Sequence, residues 1–225
     1  MLSRKYELLP TIMKNEAVKE YYEMLYEKRI ALIFKRLFDI VFSFLLIILF
    51  SPVILVISLM IKFDSKGSVF FRQIRISKSL KEFKIVKFRT MYQHDDNNSS
   101  LTISSDSRIT KAGEKLRKHR LDEIPQLFNI LSGSMSFVGT RPEVPRYVSM
   151  YSDEMIATLL LPAGLTSTAS ILYRNEAEML GKSDDFEAMY LKEILPSKMI
   201  YNLEYLRDYR FINDIKILIK TIFMN

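Results

Sequence analysis

Residues Ile40–Ile61 read IVFSFLLIILFSPVILVISLMI, an uncharged run with Ser51-Pro52 at its centre. As a straight helix at about 1.5 Å per residue the run reaches roughly 33 Å, enough for a hydrocarbon core of about 30 Å. A proline in the middle removes a backbone donor and crowds the preceding turn, which predicts a kink or break there. Each limb alone reaches about half the bilayer depth. Lys28, Arg29, Lys35 and Arg36 lie upstream, and Lys62, Lys66, Arg72 and Arg75 downstream. A spanning helix gathers Lys and Arg on its cytoplasmic side. Equal charge at both ends fits a helix that dips and returns. An ordinary kinked transmembrane helix stays open at this point, because membrane helices tolerate proline. No small-residue cleavage site follows the run, so it does not read as a secretory signal peptide.

Net charge is +7 over 225 residues, with a pI near 9.4, which points to an anionic partner: a phosphorylated substrate, lipid head groups or nucleic acid. The absence of cysteine excludes a thiol nucleophile, disulfides and cysteine-ligated metal. The two histidines, His94 and His119, argue against a histidine-rich metal site or a Ser-His-Asp triad. No GxGxxG or Walker loop is present, so phosphate must be held by basic side chains, helix N-termini or a hard cation.

Three segments are predicted: an N-terminal amphipathic extension over 1–34, a membrane helix over 35–62 and a catalytic domain over 63–225. Val18, Tyr21, Tyr22, Leu25 and Tyr26 recur at helical spacing among charges, which predicts an amphipathic interfacial helix within Asn15–Leu32. Val69–Ile76 and Phe83–Met91 read as a hairpin. Tyr92–Ser105 (YQHDDNNSSLTISS) is polar and reads as a mobile loop. Thr110–Arg120 is predicted helical, as is Asp122 to about Leu131, which ends at Ser132-Gly133. Pro145 starts another helix, and the stretch from Asn202 reads as either a core helix or a helix on the membrane surface. The fold class is α+β, mainly helical with a short β-hairpin.

Asp122-Glu123 stands at or just ahead of a helix whose first turn holds Pro125. An acidic pair in that place is also an ordinary helix start. Here Arg117, Lys118 and Arg120 precede it and Arg141 follows, and a carboxylate pair inside a cationic cluster can hold a divalent metal and still meet phosphate. Lys87 and Arg89 are two apart on a strand, so they share a face about 7 Å apart, a spacing that fits a diphosphate, although a lone Lys-x-Arg is more often a solvated strand face. His119 reads as a surface residue, and an ionised aspartate needs no base to act as a nucleophile.

Several blocks occur together: KRLFD (Lys35–Asp39), the Ser51-Pro52 pair, GSVFFRQIRI (Gly67–Ile76), FKIVKFRTM (Phe83–Met91), SRIT (Ser107–Thr110), LRKHRLDEIPQLFNIL (Leu116–Leu131), GSMSFVGTRPEV (Gly133–Val144) and YRNEA (Tyr173–Ala177). Their order resembles the bacterial sugar transferases, small monotopic polyprenyl-phosphate phosphoglycosyl transferases, over about Lys35–Phe223. The resemblance implies transfer of sugar-1-phosphate from a UDP-sugar to undecaprenyl phosphate at the cytoplasmic face of the bacterial inner membrane, as the first membrane step of a surface glycan. It implies Asp122 as nucleophile, Glu123 as the residue associated with Mg²⁺ (or Mn²⁺), Lys87, Arg89, Arg117 and Arg141 as substrate-binding cations, and a re-entrant helix broken at Ser51-Pro52. Thr140 stands where the family often has proline, which puts the stiffness of the Arg141 loop in question.

The expected partners are UDP-sugar, undecaprenyl phosphate and membrane lipid, with no nucleic acid. Downstream glycosyltransferases and a second copy of the chain are further partners to test. The sugar, the glycan pathway and the oligomeric state are open. The rival reading is a non-enzymatic basic membrane adaptor for anionic lipid or nucleic acid, which gives no reason for carboxylates among arginines.

Overall fold

The structure is a computed structural model that describes residues 2–3, 5–92 and 108–223. The predicted loop Tyr92–Ser105 lies, apart from Tyr92, outside the described residues, as does His94.

After two 3₁₀ turns, Tyr6–Leu8 and Thr11–Met13, come two long helices, α1 (Glu16–Glu27) and α2 (Arg29–Asp64). Asn15 starts α1 by accepting from the Val18 amide at 2.8 Å, an N-cap bond that satisfies one of the orphan donors of a first turn. The apolar stripe of α1 is buried: Val18, Tyr21, Tyr22 and Leu25 join one cluster with Tyr147, Leu160, Tyr190, Leu195, Met199 and Leu206. This corrects the interfacial reading of Asn15–Leu32. Amphipathic spacing says only that one face seeks an apolar partner, and here that partner is protein.

The 36 residues of α2 form one helix with Pro52 inside it. The helical run does not stop at Ser51-Pro52, so any turn of the chain there is a kink within one helix, and Ser51 supplies a physical reason for the continuity. Pro52 cannot donate to the Ile48 carbonyl, one turn back, and the Ser51 hydroxyl donates to that carbonyl at 2.8 Å instead. The most apolar 18-residue stretch of α2 has a mean hydropathy of 3.1, with 11% of it buried against protein. By length and composition this helix can cross a membrane. Both its ends are docked. At one end Lys35 meets Asp214 at 2.6 Å, Arg36 donates to the Ile130 and Leu131 carbonyls at 2.7 and 2.8 Å, and Asp39 accepts from the Phe137 amide at 3.2 Å. At the other, Ile57 and Ile61 pack with Phe88 and Leu116, and Asp64 accepts from the Ala112 amide at 3.3 Å.

The hairpin follows as β1 (Phe70–Ile76) and β2 (Glu82–Phe88), antiparallel with Phe70 opposite Phe88 and Ile76 opposite Glu82. Next come α3 (Lys111–Lys118), α4 (Gln126–Ser132), β3 (Met135–Val138), α5 (Pro145–Val148), β4 (Ala163–Thr166), α6 (Thr168–Leu172), α7 (Glu176–Leu180), α8 (Phe186–Met189), α9 (Leu195–Arg207) and α10 (Phe211–Phe223). Strands β3 and β4 form a second, parallel pair that the sequence reading did not contain. At its end a Cβ on Gly164 would lie 2.2 Å from the Gly139 backbone, so the close approach requires glycine. The stretch from Asn202 divides between α9, which is core, and α10, which buries Asp214 and Ile217 and exposes Ile212, Ile219, Ile222 and Phe223.

Candidate active site

Three local structures bring the acidic pair and its cations together. The chain leaves α3 through Arg120, whose φ of +52° is left-handed, a conformation that costs a non-glycine residue about 1 kcal/mol. It then turns through a short 3₁₀ segment, Leu121–Glu123. Pro125 precedes the first residue of α4, and Gly133, at φ +89°, ends that helix. Asp122 and Glu123 are therefore set just ahead of α4 by the turn, as the sequence predicts. From β2, Lys87 reaches across so that its Nζ lies 3.0 Å from Glu123 Oε1. Arg141, in the loop after β3, bonds both Glu123 oxygens and donates to the Leu165 carbonyl at 3.1 Å.

The Arg141 loop is held by hydrogen bonds on both sides of the arginine. The Thr140 carbonyl accepts from Gly164 at 2.8 Å, the Pro142 carbonyl from Arg75 at 3.1 Å, and the Glu143 carbonyl from Ile76 at 2.9 Å. Two backbone pairs and the Arg75 side chain thus supply the stiffness that Thr140 itself does not.

The two carboxylates differ in kind. Burial by itself raises the Glu123 carboxyl, but the Arg141 guanidinium and the Lys87 ammonium outweigh it and hold Glu123 well below the usual carboxylate range. The same carboxylate, working against burial, raises the Arg141 pKa. Asp122 has no ion pair with any described residue and lines an open cleft of about 1040 Å³. Burial raises its pKa and the neighbouring Glu123 charge adds to the rise, while Lys87, Arg117 and Arg141 pull it down without cancelling it. Two adjacent carboxyls pushed apart in this way are suited to different tasks.

Arg117 lines the same cleft, from the last turn of α3. Arg89 is not among the cleft residues. Strand alternation predicts that it shares the Lys87 face, but β2 ends at Phe88 and the Arg89 guanidinium turns to the end of α2. There it donates to the Ser65 and Lys66 carbonyls, at 2.7 Å each. A cation at the negative end of a helix is well placed, so Arg89 anchors the long helix instead of binding in the cleft. Ser51 and Pro52 are exposed on α2. His119 is exposed at the cleft wall.

Sequence reasoning missed several cleft residues: Arg75, Glu143, Tyr147, Arg174, Glu176, Tyr190 and Lys198. Tyr190 donates to Glu143 at 2.5 Å, and Lys198 Nζ lies 2.8 Å from Glu176. The YRNEA block held part of the signal, since Arg174 and Glu176 belong to it. Lys198 lies far along the chain, in α9, and gave none.

A hard cation is testable against this donor set. Among the described residues no three His, Cys, Asp or Glu side chains gather at one point. Mg²⁺ takes one or two protein carboxylates and completes its shell from substrate phosphate and water. Asp122, with no ion pair to a described residue, and Glu123 Oε2, whose one contact with Arg141 is 3.4 Å long, fit that requirement.

The description "Bacterial sugar transferase" matches residues 30–225 of this chain. A UDP-glucose:undecaprenyl-phosphate glucose-1-phosphate transferase of Klebsiella pneumoniae is 38% identical over 200 residues, 86% of this chain and 40% of that protein. A UDP-N-acetylgalactosamine-undecaprenyl-phosphate N-acetylgalactosaminephosphotransferase of Aeromonas hydrophila is 33% identical over 193 residues, 84% of this chain and 42% of that one. The exopolysaccharide production protein ExoY of Rhizobium meliloti (strain 1021) is 31% identical over 204 residues, covering 84% of this chain and 83% of that protein. The chain thus spans about two fifths of the first two relatives and most of the third.

Proposed function

This chain belongs to the bacterial sugar transferase family, and from that premise we propose that it moves a sugar phosphate from a UDP-sugar to undecaprenyl phosphate, as the first membrane step of an exopolysaccharide or other surface glycan. One observation carries the chemistry: Asp122 lines a large cationic cleft with no ion pair to a described residue, while two cations hold its neighbour Glu123.

In this reading an Asp122 oxygen attacks the sugar-bearing phosphorus of the UDP-sugar. The bond from that phosphorus to the bridging oxygen breaks, UMP departs with the electron pair, and a sugar phosphate is left on Asp122 as an acyl phosphate. An oxygen of undecaprenyl phosphate then attacks the same phosphorus, the bond to Asp122 breaks, and the carboxylate returns. Both nucleophiles and both leaving groups are anionic oxygens, so neither step needs a proton. The cost is repulsion between an anion and an anionic diphosphate. Lys87, Arg117 and Arg141 offset it, and they stabilise the charge on the equatorial phosphoryl oxygens. Arg141 is fixed through Glu123 and the Leu165 carbonyl, so it is oriented before substrate arrives. Mg²⁺ held by Glu123 and Asp122 would supply further neutralisation of the diphosphate. Chelation with EDTA should then stop turnover and Mg²⁺ restore it.

We further propose that α2 dips into the cytoplasmic face of the inner membrane and returns, with the cleft on the cytoplasmic side. The docking of both helix ends onto one body of protein supports this, because a domain that touches both ends lies on one side of the bilayer. Single cysteines at Lys35 and Lys66 in intact cells provide the topological test. Labelling of one site alone by an impermeant reagent from outside would restore a spanning helix.

The covalent step is tested by mixing the protein with UDP-sugar alone, across a panel of UDP-sugars. The expected result is up to one UMP per site and an added mass of one sugar phosphate that hydroxylamine removes. No adduct, no UMP without lipid and intersecting initial-rate lines would together favour direct attack in a ternary complex.

A further inference from the structure

A second cavity opens beside the cleft. It holds about 260 Å³ and is lined on its apolar side by Leu46 and Phe50 of α2, Leu127 of α4, and Leu218 and Ile222 of α10. At its inner end it shares Arg120, Glu123, Ser170 and Arg174 with the large cleft, so the two spaces meet beside the acidic pair. Glu123 is already held by Lys87 and Arg141. The Arg120 guanidinium makes no hydrogen bond or ion pair with any described residue, and its backbone is held in the left-handed region at the junction. The outer walls, α2 and α10, are the helices whose apolar side chains are most exposed, including Leu49, Ile219, Ile222 and Phe223.

We propose that this groove is the acceptor channel, taking the head of a polyprenyl phosphate, with its first isoprene units between α2 and α10 and its phosphate on Arg120. The proposal rests on the transferase reading above and adds where the lipid enters. Two features select this occupant. The walls are apolar and continue onto surfaces with no protein cover, which suits a hydrocarbon chain running out into a bilayer. The inner end presents a cation where the groove meets the cleft, which suits one terminal anion and not a neutral lipid or an apolar peptide. The volume is too small for a long chain, so only the units nearest the phosphate are held. Diphosphate donor and lipid acceptor would then enter through separate openings that meet beside Asp122, and once UMP departs the acceptor phosphate would take the in-line position, opposite Asp122, that UMP vacates.

The test uses a short-chain polyprenyl phosphate carrying a diazirine on its first isoprene unit, photolysed with the full-length protein in nanodiscs. Adducts should map to peptides containing Leu46 and Phe50 or Leu218 and Ile222. Excess undecaprenyl phosphate should compete them away, and undecaprenol or phosphatidylglycerol should not. Adducts confined to other segments, or equal competition by phosphatidylglycerol, would overturn the proposal; the second result would mark a general lipid surface.

Kinetics give an independent readout. Arg120→Asn tolerates the left-handed backbone and removes the charge. It should raise the KM for undecaprenyl phosphate about 10- to 100-fold, the range for a lost charge-assisted hydrogen bond, with the KM for UDP-sugar little changed. Arg120→Gly relaxes the backbone as well, and should be equally impaired. Recovery in the glycine variant would assign Arg120 a purely conformational role and defeat its part in the proposal. Absence of transfer with every UDP-sugar, together with correctly mapped adducts, would defeat the transferase reading and leave the lipid groove standing.

Discussion

Among the lysine–carboxylate pairs of this molecule, two of the buried clusters do opposite things. Where α2 meets α10, Lys35 and Asp214 sit 2.6 Å apart with side chains 2% and 3% exposed, and Tyr205 donates to the other Asp214 oxygen at 2.8 Å. That cluster is closed. In the cleft, Lys87 and Arg141 share Glu123 in much the same way, but Asp122 and Arg117 stand beside them and the space in front is open. Ion pairing alone therefore does not mark a site. What marks it is charge the fold has gathered without pairing internally, facing a volume that can admit a ligand.

The largest expected effect tests Asp122, the carboxylate without an ion pair to a described residue. Asp122→Asn keeps shape and removes the anion, and should lower transfer by roughly 10⁴- to 10⁶-fold, the range for loss of a nucleophile. Its heat-unfolding midpoint in detergent should stay near that of the parent protein. A variant that still turns over would move Asp122 to a binding role and erase the contrast.

The closed cluster should respond in stability. Lys35→Met leaves Asp214 buried without a cation and should cost about 3–5 kcal/mol, read as a fall in the unfolding midpoint. Lys35→Met combined with Asp214→Leu should recover most of the loss, because the penalty comes from the orphaned charge. Failure to recover would give the pair a specific role in seating α10.

Arg141 sits between the two behaviours, since it pairs with Glu123 and also faces the reacting phosphate. Arg141→Ala should lower kcat by about 10²- to 10³-fold. A near-normal rate would reduce it to a loop anchor and assign the work to Lys87 and Arg117.

The smallest effect is in pH dependence. Asp122 must be ionised to attack, and its pKa is raised, so kcat/KM should fall as pH drops through a value above the ordinary carboxylate range. Arg117 is one of the charges holding that pKa down. Arg117→Gln should therefore move the acid limb to higher pH. An unmoved limb would show that some other group controls it.

Several of these parts were legible because they rest on local chemistry. α4 follows from Asp122-Glu123, Pro125 and Ser132-Gly133, although it starts at Gln126, after a 3₁₀ turn the sequence reading did not contain, and not at Asp122; the hairpin follows from two short apolar strands. Arg89 was misread for a reason that is also physical. Period-two alternation gives the direction of a side chain only while the strand lasts, and the strand stops one residue short of it. Tyr190 and Lys198 were invisible because nothing near them in the chain signals a cleft; α8, the π-helical turn after it and α9 bring them there. KRLFD was recognisable as a block, yet its roles became clear only against its partners. Arg36 caps α4, and Asp39 takes the Phe137 amide, nearly a hundred residues away.

By itself the sequence determined what depends on neighbours in the chain: the long apolar helix, the hairpin, the carboxylate pair ahead of its helix, and the excess of cations around it. Hydrogen-bond periodicity, turn chemistry and side-chain charge act over a few residues, so they can be read directly. Only the tertiary structure decided which cation meets which acid. It turned the face of α1 inward, sent Arg89 to the end of α2 and Lys87 to Glu123, and left Asp122 facing an open cleft. Those outcomes depend on distances between segments far apart in the chain, set by packing that no short stretch of sequence encodes.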